Sequence, residues 1–196
     1  MGTTARALKI VAFGILLLFA VLGGAFAAGY AFEDLPFRWV MLALVALLGM
    51  VAGLSWLALR RTDTAVTVLL VLTALLSVTT VVDARWDLFE RDVNGPVMVV
   101  LLMAAAVPLA MLGLRRATEA GVMLLILAVF QLVASGIVHA VAAGEFAWQF
   151  FLRGSSGVAI LPLLLAGVLL VLAGRAGHET VSFWPHHDAH STQVAH

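Results

Sequence analysis

Few residues in this chain could do chemistry, and they fall into three groups. Gln131, Ser135 and His139 recur at i, i+4 and i+8, which on a helix confines them to about 80° of one face. Thr73, Ser77 and Thr80 form a narrower stripe that leads to Asp83. If these two faces meet, amide, hydroxyl and imidazole groups line a polar cleft. His139 and Asp83 would then hydrogen-bond a quinone headgroup or a small polar solute. The plainer reading, and the one the sequence favours, is ordinary interhelical hydrogen bonding, worth under about 1 kcal/mol per bond. The third group is the C-terminal cluster His186, His187 and His190, near His178 and His196. His186 and His190 would share a face if the segment became helical, and imidazole is a common transition-metal ligand. Pro185 precedes the cluster and nothing supplies a second ligand shell, so a solvated tail is the default.

Other chemistries are excluded. There is no cysteine, so disulfides, thiolate catalysis and iron–sulfur clusters are out. Bis-histidine haem needs two histidines facing across a bundle, and only His139 lies in an apolar stretch. At most one axial ligand is available, and no cofactor is specified. Val133-Ala134-Ser135-Gly136 resembles the GxSG motif of rhomboid proteases, which also have six helices. Here Val133 replaces the first glycine, and His139 sits one turn from Ser135 on the same helix. A base so placed cannot orient the serine, so protease chemistry is not expected.

These residues sit on six apolar runs, each close to the roughly 20 residues that cross a hydrocarbon core. The runs are Leu8–Phe32, Trp39–Leu59, Thr64–Val82, Val97–Leu114, Gly121–Ala143 and Ser156–Gly174. They are continuously apolar without alternation, which favours helices over a barrel. The predicted fold is an all-α integral membrane protein, a bundle of six transmembrane helices in three hairpins. Residues 1–176 form the membrane domain and 177–196 a polar, His-rich tail. Arg6, Lys9 and Ala25-Phe26-Ala27 imitate a signal peptide, but the apolar stretch is too long for one, so the first run is expected to remain as a span. Arg6 stands where a myristoylation signal requires Ser or Thr.

Composition agrees. Of 196 residues 63% are hydrophobic and 11% charged, with mean hydropathy +1.11, against about 25% charged in a soluble domain. Such a chain cannot cover a core with polar surface, and its balanced charge gives nucleic acid no footing. The lipid bilayer is the expected partner. Ten of the eleven basic residues are arginine. With heavy use of Ala, Val, Leu and Gly, this points to a bacterial inner (plasma) membrane. With the N-terminus inside, seven basic residues fall on the inner side and four on the outer. The positive-inside rule then places both termini in the cytoplasm. Trp39, Trp86 and Trp148 mark the outer edge, and Trp56 and Trp184 the inner.

Three inner boundaries look alike, at Arg60-Arg61-Thr62-Asp63, Arg115-Arg116-Ala117-Thr118-Glu119 and Arg175-Ala176-Gly177-His178-Glu179. Shared rules for membrane hairpin ends explain this better than duplication. Small-residue faces at Ala20/Gly24/Ala28, Gly49/Gly53 and Ala106/Ala110 are expected to pack within the chain. Pro108 and Pro162 lie inside spans and predict kinks. The charged loop Asp83–Asp92 is expected to form a short interfacial helix held by local ion pairs. The aromatic loop Phe146–Leu152 is expected to lie in the interface. With Lys9 assigned to the inner interface, no charged residue lies deep in a span, which counts against proton or ion coupling. The functional expectation is a non-catalytic accessory or scaffolding subunit of a larger membrane complex, an energy-transducing one being one candidate host, with other membrane subunits as partners. The alternatives are a small solute-binding or transport module, similar in size to the substrate-binding components of energy-coupling-factor importers, and a quinone-binding subunit using the His139 cleft.

Overall fold

The computed structural model describes residues 3–31, 36–86, 97–143 and 155–177, with the backbone alone for 31, 137–143 and 155–158. These residues form six helices: α1 Thr3–Ala31, α2 Phe37–Arg60, α3 Thr62–Trp86, α4 Val97–Arg115, α5 Ala117–Ala143 and α6 Ser155–Ala176. All six are long and apolar enough to cross a membrane. All six extend past the apolar runs at one or both ends, because helical hydrogen bonding continues into the charged flanks where hydropathy stops. The helices α4 and α6 run unbroken through Pro108 and Pro162, each of which removes one backbone donor. The loop Gly144–Gly154, most of the Asp83–Asp92 segment and the tail 178–196 lie outside the described residues.

Two joints shape one end of the bundle. A single residue, Arg61, separates α2 from α3. Its amide donates to Leu57 O at 2.8 Å, closing α2, and its carbonyl accepts from Ala65 N at 2.9 Å, opening α3. Arg116 does the same between α4 and α5, donating to Leu112 O at 2.8 Å and accepting from Ala120 N at 3.2 Å. The charges suit the helix dipoles. Arg60 and Arg115 lie in the last turns of α2 and α4, and Asp63 and Glu119 in the first turns of α3 and α5. This is the arginine end of the bundle.

The helix α4 is the central post. It packs against α1, α2, α3, α5 and α6, and its apolar stretch is 72% buried. The most extensive pairing is α5 with α6, made close by glycine. Gly121 faces Gly167 and Val171, and Thr118 faces Gly174, so the two helices run antiparallel with their backbones nearly touching. The helix α1 packs mainly on α4 and α6, and Gly24 meets Met103 of α4. The helix α2 is peripheral, with none of its apolar stretch buried. Its Gly49 and Gly53 have open space where a Cβ would stand. That corrects the expectation of packing within the chain. The Ala20/Gly24 and Ala106/Ala110 faces do pack inward.

Candidate functional site

The face of α3 that carries Thr73, Ser77, Thr80 and Asp83 is buried along its length. So are Gln131 and Ser135 on α5. The helices α3 and α5 pack on each other and both on α4, so both polar stripes point to the interior of the bundle. His139 lies in α5 one turn beyond Ser135, and its side chain is outside the described residues.

The stripe residues differ in how their polar atoms are satisfied. Thr80 Oγ1 donates to Leu76 O at 2.7 Å, and Ser135 Oγ to Leu132 O at 3.0 Å. Such bonds inside one helix let a hydroxyl sit in an apolar interior. Thr73 Oγ1, Ser77 Oγ and Gln131 Oε1 are buried and make no hydrogen bond. At about 1.5 Å rise per residue, Ser77 and Gln131 both sit roughly 21 Å from the start of their helices. Since α3 and α5 both start at the arginine end, these two are level with each other. Orphaned polar atoms at one depth mark a place where a polar guest or water would gain hydrogen bonds.

A second polar cluster lies at the arginine end. Arg116 reaches Asp63 Oδ1 at 2.6 Å and Glu119 Oε1 at 3.4 Å. It ties the start of α3 to the joint between α4 and α5. Glu119 is wholly buried, whereas Asp63 is 70% exposed. Lys9 of α1 and Asp83 of α3 are also buried. The sequence reading placed Asp83 in the polar cleft but did not foresee the burial of Lys9 and Glu119, because it judged depth along a span and not enclosure by neighbouring helices. All three lie within about 9 Å of a helix end, so the expectation that no charge sits at mid-span is consistent with their positions.

No family model, curated protein or solved structure matches the chain. What the site can do therefore rests on its own chemistry. Between Glu119 and Gln131 on α5 stand Met123, Leu124 and Leu127, each at most 1% exposed. Twelve residues of helix make this layer about 18 Å thick, and Leu69, Leu109 and Leu163 pack into the same core. The ionic cluster and the polar stripes are thus separated by buried apolar side chains. Among the described residues, no group of three or more His, Cys, Asp or Glu could hold a metal ion. The candidates His186, His187 and His190 lie outside the described residues.

Proposed function

We propose that this chain is a multi-pass protein of a bacterial inner membrane, with both termini cytoplasmic, that serves as a non-catalytic accessory or scaffolding subunit of a larger complex. The observation that carries this reading is α2. In water such a helix would be an aggregation hazard, and in a membrane it must face lipid or another protein. Lipid gives no reason for two glycines four residues apart on the outer face, whereas close approach of a second helix does. Gly49 and Gly53 are flanked there by exposed Val45, Leu48 and Trp56. The groove beside α2, about 330 Å³ in volume and lined by Ala43, Ala46, Leu47, Met50 and Val100, is apolar as well. Orientation is supported by the arginines gathered at one end.

A photoreactive residue at Ala52 of α2, compared with one at Val78 on the exposed face of α3, tests the reading in native membranes. Ala52 should give one protein adduct of fixed mass, and Val78 lipid adducts only. Lipid adducts at both positions would defeat the subunit assignment. Reporter fusions at residue 196 test the orientation.

One observation favours a second reading, a solute- or quinone-binding role. Thr73, Ser77 and Gln131 bury polar atoms that a ligand could satisfy. Loss of ligand binding in His139→Ala, Ser77→Ala or Gln131→Leu would support it.

A further inference from the structure

Arginines at the two ends of the bundle are used differently. At the end opposite the joints, Arg38 lies over the ring of Trp39 at 5.8 Å and Arg85 over Trp86 at 5.9 Å. Each cation is engaged by its own chain. At the arginine end Arg116 is engaged, by Asp63 and Glu119. Arg60, Arg61, Arg115 and Arg175 are exposed. Among the described residues none of the four has a side-chain ion pair, hydrogen bond or ring contact. They make no hydrogen bond to the helix-end carbonyls beside them, which leaves their guanidinium donors available.

The fold brings the four together. The Arg116–Asp63 bridge holds the joint after α2 against the joint after α4, and the Thr118–Gly174 contact brings the end of α6 alongside. Arg115 closes the helix that packs against both α2 and α6, so the four arginines stand at the same end of neighbouring helices. We propose that this rim is a docking site for anionic phospholipid headgroups, their phosphates held between Arg60, Arg61, Arg115 and Arg175. Guanidinium matches a phosphate through two parallel hydrogen bonds, which a lysine ammonium cannot reproduce. The rim terminates apolar helices, so a phosphate bound there arrives with its acyl chains alongside the exposed faces of α2 and α6. A soluble phosphate would bring no such apolar contact. The inference rests on the membrane reading above and names a partner for it.

The test uses the full chain, extracted in mild detergent and titrated with phosphatidylglycerol, phosphatidylcholine or inorganic phosphate, with bound lipid read by native mass spectrometry. Phosphatidylglycerol should bind in preference to phosphatidylcholine and weaken with salt. Each Arg→Gln change at the four positions should weaken it about fivefold, and Arg→Lys should weaken it less. The variants should keep the helical circular dichroism of the parent. Equal binding of the two lipids, or full phosphatidylglycerol binding by R60Q/R61Q/R115Q/R175Q, overturns the proposal. Inorganic phosphate competing as strongly as the lipid also overturns it, by assigning a soluble anion. Carbonate extraction separates the two levels. Release of the chain from membranes refutes the membrane reading, whereas retention without lipid preference refutes the lipid site alone.

Discussion

Gly121→Ala should destabilise the bundle although alanine is the better helix former. A Cβ at Gly121 would stand 2.8 Å from the carbonyl oxygen of Gly167, 2.8 Å from the amide nitrogen of Val171 and 2.9 Å from Val171 Cγ2. Comfortable separations are about 3.5–4.0 Å. Two of the obstructing atoms are backbone of α6, so no rotamer change relieves the clash and the helices must part by several tenths of an ångström. Overpacking of this kind costs about 1–3 kcal/mol, and alanine returns up to about 1 kcal/mol of helix propensity. The expected net loss is about 1–2 kcal/mol. Two other glycines calibrate it. A Cβ at Gly113 meets the terminal Cδ1 of Leu170 at 2.8 Å, and a Cβ at Gly24 meets Met103 Cβ at 3.5 Å. A leucine tip can turn aside, and 3.5 Å is ordinary contact. Gly113→Ala should therefore be near neutral and Gly24→Ala neutral to stabilising. Unfolding free energies of the purified chain, measured by circular dichroism as micelles are titrated with a denaturing detergent, give the order directly. Gly121→Ala as stable as Gly24→Ala would refute the close α5–α6 crossing.

Glu119→Ala should cost about 1–3 kcal/mol in the same assay, because it removes a buried partner of Arg116. Asp63→Asn should cost under about 1 kcal/mol, because that end of the bridge is exposed. The reverse order would place the anchor on the wrong carboxylate. Thr73→Val and Ser77→Ala remove buried hydroxyls that have no partner, so each should leave stability unchanged or raise it by up to about 1 kcal/mol. A clear loss in either would show that a bound molecule satisfies these hydroxyls. Gly49→Leu/Gly53→Leu should leave the melting of the isolated chain unchanged, because the space is open, and should abolish the protein adduct at Ala52.

The spans were legible because crossing a bilayer demands long apolar runs, whereas the helix ends were not, because the helices continue into the charged flanks. The inward faces of α3 and α5 were legible too, since Thr73, Ser77, Thr80, Gln131 and Ser135 are the few polar groups in apolar helices. The sequence reading did not single out α4 as the centre or α2 as the edge. In a soluble bundle amphipathicity sorts inside from outside, but here the outward-facing and core-facing sides are both apolar. Small residues were the remaining signal, and they mislead at Gly49/Gly53, where the space is open. They were overlooked at Gly121, Gly167 and Gly174, because these glycines lie on two helices and complement each other only once the pairing is known. Lys9 and Glu119 sit near helix ends, where hydropathy assigns an interface. Only the packing of other helices around them makes them interior.

The distribution of polarity bears on which functions this bundle could perform. A carrier or pump needs ionisable groups that hand a charge across the middle of the membrane. Here the buried charges Lys9, Glu119 and Asp83 lie toward helix ends, and Met123, Leu124, Leu127, Leu69 and Leu163 fill the interior between the ionic end and the stripe at Ser77 and Gln131. Moving an ion through that layer would require separating α5 from α4 and α6, and the backbone contact at Gly121 and Gly167 opposes it. Such a bundle is suited to staying shut. The roles proposed above, a guest at the polar stripes, headgroups at the arginine rim and a neighbouring helix on α2, do not ask the core to open. That favours a supporting role over conduction, and it makes the α5–α6 crossing the place where a conducting mechanism would first have to reveal itself.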